Sequence, residues 1–178
     1  MCGLVAIVAP RGVKIDPDAF ARKVSTLGHR GPDALNVEHL HQYGMSLGHT
    51  RLSIVDPLPR SDQPLHTEDV TVIFNGEIYN HRLLRSQLQA CGVTFTSSGD
   101  TEVIAHGFEK WGVSLFEKLE GMYAIILLDR RSGTVFVTRD LFGIKPLYMQ
   151  RDPDGRLSFA SEVKALPSYR NPNFHEDT

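Results

Sequence analysis

The sequence has little cysteine, no long apolar run and no excess of either charge. Its two cysteines, Cys2 and Cys91, cannot build a disulfide framework, so a reducing, cytoplasmic setting is expected. No apolar run approaches the roughly 20 residues of a membrane span, and the start lacks the basic and apolar regions of a secretory signal. Lysine and arginine number 19 against 21 aspartates and glutamates, a balance that argues against a nucleic-acid binder.

Enough apolar sequence is present for one core, because 41% of the 178 residues are hydrophobic. A chain of this length buries most of the surface that it would expose when unfolded, so one domain over residues 1–178 is expected. Its polar tail, residues 167–178, is interpreted as linker-like. Strand patterns joined by hairpin-type turns, with the helices in a block between strand blocks, favour an α+β fold with antiparallel sheets.

Short apolar runs bounded by turn residues predict the strands, and apolar residues at helical spacing predict the helices. The predicted strands are 3–8, 45–55, 70–78, 121–129, 134–140, 147–150 and 157–160. The predicted helices begin after Asp16, at Asn80 and at Asp100, with a brief one over 161–166. In the helix predicted over 80–91, one side carries Leu83, Leu84, Leu88 and Cys91, so Cys91 is interpreted as a core residue.

Cys2 is the most informative residue for function. A residue this small after Met1 usually allows the initiator methionine to be removed, which leaves Cys2 with a free α-amine beside its thiol. That amine titrates near neutrality, at about 7.7–8.0, so a base and a sulfur nucleophile would stand on one residue. From position alone, a small buried residue at the start of a strand is an equally ordinary interpretation.

Three further motifs have both a chemical and a structural interpretation. Asn75-Gly76 offers one side-chain donor and one backbone donor to an oxyanion, but Asn-Gly is also the strongest two-residue hairpin signal. Arg51 could hold a carboxylate with two hydrogen bonds or be an exposed strand residue. Asp100 could bind an ammonium group or cap its helix. The histidines and cysteines show no zinc spacing, and no metal site is predicted.

These motifs converge on one family, because many blocks agree with it in order and spacing. The matching blocks are 1–3 (MCG), 29–33 (HRGPD), 51–56 (RLSIVD), 63–65 (QPL), 75–80 (NGEIYN), 99–102 (GDTE), 121–124 (GMYA), 139–140 (RD), 143–148 (GIKPLY) and 160–166 (ASEVKAL). The chain resembles the glutamine amidotransferase type-2 domain. Blocks 51–56 and 75–80 resemble in particular the N-terminal glutaminase half of asparagine synthetase.

The resemblance implies the N-terminal-nucleophile hydrolase sandwich, with two antiparallel sheets between helical layers (αββα). It implies a glutaminase in which Cys2 attacks the side-chain amide of L-glutamine and its own α-amine acts as base. Asn75 and the Gly76 N–H would hold the oxyanion, Arg51 the substrate α-carboxylate and Asp100 its α-ammonium. The remaining implied substrate-binding residues are Leu52, Ser53, Ile54, Val55 and Glu77.

Family members continue into an ATP-dependent synthetase domain with a Ser-Gly-Gly-x-Asp-Ser motif, which this sequence lacks. The chain is therefore expected to need no cofactor of its own, since ATP and Mg would belong to the synthetase domain. It would be an excised domain or a stand-alone glutaminase that feeds ammonia to a partner. Two alternatives stay open: a non-catalytic or regulatory module of the same fold, and a hydrolase of another amide.

Overall fold

Two antiparallel sheets form the centre of the molecule. The computed structural model describes residues 1–53, 56 and 58–167. The strands are β1 (Gly3–Val8), β2 (Ala34–Leu40), β3 (Met45–Arg51), β4 (Leu65–His66), β5 (Val70–Ile78), β6 (Gly121–Asp129), β7 (Thr134–Arg139), β8 (Tyr148–Arg151) and β9 (Leu157–Ala160). One sheet has the strand order β2-β3-β1-β9-β8, and the other has the order β4-β5-β6-β7. Every strand pairing within them is antiparallel.

Helices cover the outer face of each sheet. The α-helices are α1 (Pro17–Ser25), α2 (His81–Ala90), α3 (Asp100–Trp111) and α4 (Leu115–Lys118). Phe20 and Val24 of α1 pack on the first sheet, whereas Leu88 of α2 and Ile104 of α3 pack on the second. The layers therefore run helix, sheet, sheet, helix, and the predicted α+β sandwich is confirmed. No helix in the described part of the chain is long and apolar enough to cross a membrane.

A separate apolar core lies between the two sheets. Alternate residues of β1 and β3 meet alternate residues of β5 and β6 there, as the period of two in a strand requires. The buried members of this core are Leu4, Ala6, Met45, Leu47, Ile73, Ala124, Ile126, Leu128 and Phe159. On β5, Asn75 is two residues after Ile73 and so lies on the same face, where the core gives way to a cavity.

The structure corrects several predicted elements. The strand predicted over 45–55 ends at Arg51, and Ile54 and Val55 lie outside the described residues. The strand predicted over 134–140 ends one residue earlier, at Arg139, and the strand predicted over 147–150 is shifted by one residue, to Tyr148–Arg151. Residues 161–166 hold only a 3₁₀ turn, Val163–Ala165. Strands β2 and β4 were missed by the sequence pattern, and the tail from residue 168 lies outside the described residues.

Two residues of the helix predicted over 80–91, Leu83 and Cys91, do not lie on its buried side. Helix α2 ends at Ala90, and Cys91 follows it as an exposed free thiol. Leu83 is 59% exposed, whereas Leu84 and Leu88 are buried. Because a helix turns 100° per residue, Leu83 falls beside the stripe of Leu84 and Leu88, whereas Cys91 is exposed because the helix ends before it.

Candidate active site

One cavity, of about 240 Å³, brings together most of the residues that the sequence singled out. Its lining includes seven of them: Cys2, Arg51, Leu52, Asn75, Gly76, Glu77 and Asp100. Ser53 is not among the lining residues, and its backbone N–H donates to Asp33 Oδ2 at 2.7 Å. Ile54 and Val55, the other two predicted binding residues, lie outside the described residues.

The Cys2 thiol lies at the mouth of the cavity because Cys2 directly precedes β1, a central strand of the first sheet. The backbone N–H of Leu52 donates to its Sγ at 3.4 Å, and the thiol is 3.8 Å from the Leu52 carbonyl oxygen. On the other side, Arg30 Nε donates to the Cys2 carbonyl oxygen at 2.9 Å. Met1 precedes Cys2, so the Cys2 nitrogen is a peptide amide here and carries no basic lone pair.

Arg30 belongs to an ion-pair network that holds the first residues of the chain. Its Nη1 donates to Glu162 at 2.9 Å, and Lys164 and His29 also contact that carboxylate. Burial works against ionisation of Glu162, but the hydrogen bonds from Arg30, Lys164 and His29 outweigh it and lower the pKa of Glu162 to about 2. The network therefore keeps its charges at neutral pH and positions the backbone of Cys2.

Asn75 is a buried amide that donates to nothing within the described residues. It is only 2% exposed, and its Nδ2 has no hydrogen-bond partner there, although it lines the cavity that holds the thiol. An unpaired buried donor is costly, so its retention indicates a ligand that supplies the acceptor. The hairpin interpretation of Asn75-Gly76 is wrong, because both residues lie inside the strand β5.

Gly76 is required by the neighbouring strand. It pairs with Tyr123 of β6, and a Cβ built on it would lie 2.2 Å from the backbone oxygen of Met122. No side chain fits at that distance, so at Gly76 the strand β5 presents only its backbone to the cavity. The same absence of a side chain leaves the Gly76 backbone open to a ligand in the cavity.

Arg51 lines the cavity but already has partners inside the protein. Its Nη1 donates to Asp62 Oδ1 at 2.5 Å and to the Leu58 carbonyl oxygen at 3.0 Å, and its Nη2 donates to the Asp56 carbonyl oxygen. Only 5% of Arg51 is exposed. These bonds occupy three of the five N–H groups of the guanidinium. A substrate carboxylate would therefore have to share Arg51 with the 56–62 segment.

Asp100 is the first residue of α3, but it does not cap the helix as one interpretation predicted. The cap position is Gly99, with no side-chain bond, and the Asp100 carboxylate instead accepts from Ile78 N of β5 at 3.0 Å. Burial raises the pKa of Asp100, and the Ile78 N–H offsets only part of that rise. A cation in the cavity would stabilise the ionised form of Asp100 and offset the cost of burying it.

Gln63 and Lys145 are among the lining residues that the residue-by-residue predictions omitted. Gln63 is buried, donates to Thr101 Oγ1 at 3.2 Å and accepts from the Phe74 N–H at 2.5 Å, so it ties the cavity wall to β5. Lys145 is also buried and lines the cavity. Both fall inside blocks that matched the family pattern, but nothing in the local sequence marks them as cavity residues.

His49 links the two sheets through a bond to Phe74, a residue that lines the cavity. It is fully buried on β3, and its Nε2 is 3.2 Å from the Phe74 carbonyl oxygen of β5. Its Nδ1 has no partner among the described residues. Burial lowers the pKa of His49 to about 4, so this histidine is neutral at pH 7 and donates through Nε2.

We expect the free energy of unfolding to fall as the pH drops from about 6.5 to about 4, because the unfolded His49 binds a proton more tightly than the folded one. A shift from 6.5 to about 4 corresponds to about 3 kcal/mol in all. Urea unfolding at several pH values measures it. His49→Gln should flatten the profile between pH 6.5 and 5, while the exposed His41→Gln should not; equal slopes in both variants would contradict the assignment.

The four-layer sandwich with a cysteine at the start of a central strand defines the class. It is the architecture of an N-terminal-nucleophile hydrolase, in which the first residue of the mature chain supplies the nucleophile. The chain belongs to the glutamine amidotransferase domain family, whose family model matches residues 1–178. The predicted family is thereby confirmed.

Relatives of known name agree with that family. The chain is 43% identical over 169 residues to asparagine synthetase [glutamine-hydrolyzing] 2 of Oryza sativa subsp. japonica, a match that covers 93% of this chain and 28% of that protein. It is 41% identical to asparagine synthetase [glutamine-hydrolyzing] of Zea mays, with the same coverage of each chain. The chain thus spans little more than a quarter of the length of these relatives.

A solved structure shares the fold. The glutamine phosphoribosylpyrophosphate amidotransferase of B. subtilis superposes with a TM-score of 0.75 at 23% identity, over 92% of this chain and 42% of that one. At this identity the likeness supports the fold alone.

Proposed function

We propose that this chain hydrolyses the side-chain amide of L-glutamine and releases ammonia. The observation that carries the proposal is the Asn75 amide, a buried donor without a partner in the described residues, in the same cavity as the Cys2 thiol. Electrostatic stabilisation of an oxyanion by such fixed donors is usually the largest single contribution to acyl transfer. The family supports the same reaction class.

In the first step, Sγ of Cys2 attacks the γ-carbonyl carbon of glutamine. The α-amine of Cys2, free once Met1 is removed, takes the thiol proton as the S–C bond forms. Asn75 Nδ2 and the Gly76 N–H donate to the oxygen, which carries the negative charge of the tetrahedral intermediate. The amine then gives its proton to the departing nitrogen, the C–N bond breaks, and ammonia leaves a thioester on Cys2.

In the second step, water replaces ammonia and the roles reverse. The α-amine takes a proton from a water molecule as the water oxygen attacks the thioester carbon. The same two donors hold the second oxyanion. The S–C bond then breaks, the thiolate recovers the proton, and glutamate is released. Protein groups, glutamine and water together supply every atom and proton in these two steps.

Substrate recognition in the proposal depends on the charges of a free amino acid. Asp100, with its raised pKa, would bind the α-ammonium, since a cation there offsets the cost of burying the carboxylate. Arg51 would bind the α-carboxylate through the N–H groups that Asp56, Leu58 and Asp62 leave unused. Leu52 and Glu77 also line this cavity and would contact the glutamine.

Comparing amide substrates tests this assignment. With the processed protein, kcat/KM for glutaramate, which lacks the α-ammonium of glutamine, should be about 10- to 100-fold below that for L-glutamine, the scale of one charged hydrogen bond. Asp100→Asn should remove most of that difference. Release of ammonia and of the acid product is measured for each compound. Equal rates for both substrates would refute the Asp100 assignment, and faster hydrolysis of another amide would favour the alternative substrate.

We also propose that residues 1–178 act as one domain and that the ammonia goes to a synthetase domain, in the same chain or in a partner. The named relatives are full-length asparagine synthetases, and this chain matches 28% of each of the two described above. The acceptor of the ammonia and a cytoplasmic location belong to the same proposal. ATP and Mg would bind the synthetase domain, not the cavity described here.

A further inference from the structure

Lys145 is a buried cation in the wall of the active-site cavity. Its residue is only 6% exposed and lines the same cavity as Cys2 and Asn75. Within the described residues, no carboxylate oxygen lies within 4.0 Å of its Nζ. A buried charge is costly unless it is paired. Lys145 is therefore arranged to meet an anion that enters or forms in the cavity.

The loop that carries Lys145 is folded around one carboxylate. Asp140 accepts from four backbone N–H groups, those of Tyr123, Phe142, Ile144 and Lys145, at 2.9–3.2 Å. These bonds outweigh burial and lower the pKa of Asp140, so the carboxylate stays charged and the loop stays closed around it at neutral pH. The backbone of Lys145 is thus fixed, and only its side chain is free to adjust.

Hydrogen bonds and strand register link the loop that carries Lys145 to one part of the cavity wall. Asp140 is bonded to Tyr123, and Tyr123 is the partner of Gly76 across β5 and β6. Asp100, by contrast, is bonded to Ile78, two residues further along β5. Lys145 is therefore linked through Asp140 to the strand pair that carries Gly76, whereas Asp100 is linked to Ile78.

The charges at that position point to one role. Arg51 is the other basic side chain in the described lining, but it is already bonded to Asp62 and two carbonyl oxygens, and in the proposed function its remaining N–H groups bind the α-carboxylate. The γ-carbonyl of glutamine is neutral, but the proposed reaction places a negative charge on its oxygen in both tetrahedral intermediates and in the glutamate product. A cation near that oxygen favours these species over the bound substrate.

We propose that Lys145 contacts the reacting γ-carbonyl group, where its ammonium stabilises the oxyanion and then binds the γ-carboxylate of glutamate. This assignment rests on the proposed glutaminase function and extends it by one residue. The Lys145 contact makes the cavity bind glutamate, with its charged γ-carboxylate, in preference to glutamine, with its neutral side-chain amide. A lysine that held the α-carboxylate would give no such selectivity, because that group is identical in glutamine and glutamate.

Binding to the inactive Cys2→Ala protein tests the proposal without turnover. Calorimetry at pH 7 gives the Kd of L-glutamate and of L-glutamine, and the preference is the ratio of the two constants. Adding Lys145→Met should weaken glutamate binding at least about tenfold and change glutamine binding less than about threefold, since one charge-assisted bond is lost only with the product. Lys145→Arg should retain most of the preference, and the exposed Lys110→Met should leave it unchanged.

The outcomes separate this inference from the function on which it rests. If neither amino acid binds the Cys2→Ala protein, the proposed glutaminase function fails. If both bind and Lys145→Met weakens them equally, or weakens neither, the function stands and the Lys145 assignment is wrong. Lys145→Gln provides a second neutral side chain if the methionine variant does not fold, as judged by circular dichroism.

Discussion

Replacing Cys2 by alanine should abolish glutamine hydrolysis, with a loss of at least about 1,000-fold in kcat, because removal of a covalent nucleophile leaves only binding and oxyanion stabilisation. Glutamate and ammonia are measured in parallel over time. Binding of glutamine should survive, since neither Asp100 nor Arg51 is altered. The fold should also survive, because Cys2 precedes β1 and, within the described residues, its Sγ is hydrogen-bonded only to Leu52.

The state of the amino terminus is the control for this experiment. Mass spectrometry must show that Met1 has been removed from the wild type and from the variant. A preparation that retains Met1 should be as inactive as Cys2→Ala, because the Cys2 nitrogen then lacks a basic lone pair. Full activity of Cys2→Ala would refute the nucleophile, and full activity with Met1 retained would refute the α-amine as the base.

Replacing Asn75 by alanine should lower kcat about 100- to 1,000-fold, the cost of removing one oxyanion donor, and leave KM within a few-fold. The effect falls on kcat because the γ-carbonyl oxygen becomes charged only after the attack. The free energy of unfolding should change little from loss of hydrogen bonding, since Asn75 Nδ2 has no partner within the described residues.

Asn80→Ala is the matched control for Asn75→Ala. Asn80 is close to Asn75 in the sequence, but its amide donates to the Lys118 carbonyl oxygen at 2.8 Å, outside the cavity. Its loss should affect stability and not kcat. Steady-state kinetics and urea unfolding of both variants distinguish the two roles. An Asn75→Ala protein with wild-type kcat would show that the oxyanion is held by other donors.

The interior strands were predictable from sequence because they are buried on both faces. β1, β5, β6 and β9 have the predicted bounds, since continuous apolar runs end at turn residues there. β2 was missed because all but one of its residues are half-buried and the strand mixes polar and apolar residues at the edge of its sheet. Local pattern therefore finds the core strands and the edge strands β7 and β8, and misses the edge strands β2 and β4.

The candidate site was predictable in its residue types but not in its contacts. Cys2, Asn75 and Asp100 were singled out by their chemistry, and the structure brings them to one cavity; their roles stay predictions. The bond from Ile78 to Asp100 joins residues 22 positions apart, so only the tertiary fold reveals why Asp100 is not a cap. The burial of Lys145 also depends on the tertiary fold, whereas the partners of Arg51 lie only 5 to 11 positions further along the chain.

The sandwich places the proposed nucleophile and the proposed oxyanion donor on different sheets, with Cys2 before β1 and Asn75 on β5. Their separation is therefore set by the thickness of the apolar layer between the sheets, to which Ala6 and Ala124 contribute small, fully buried side chains. Protein interiors are packed as densely as organic crystals, so this thickness is well defined. In the proposed mechanism, a buried side chain that touches no substrate would act as a spacer between the reacting groups, so we expect the size of a core residue to affect the catalytic rate.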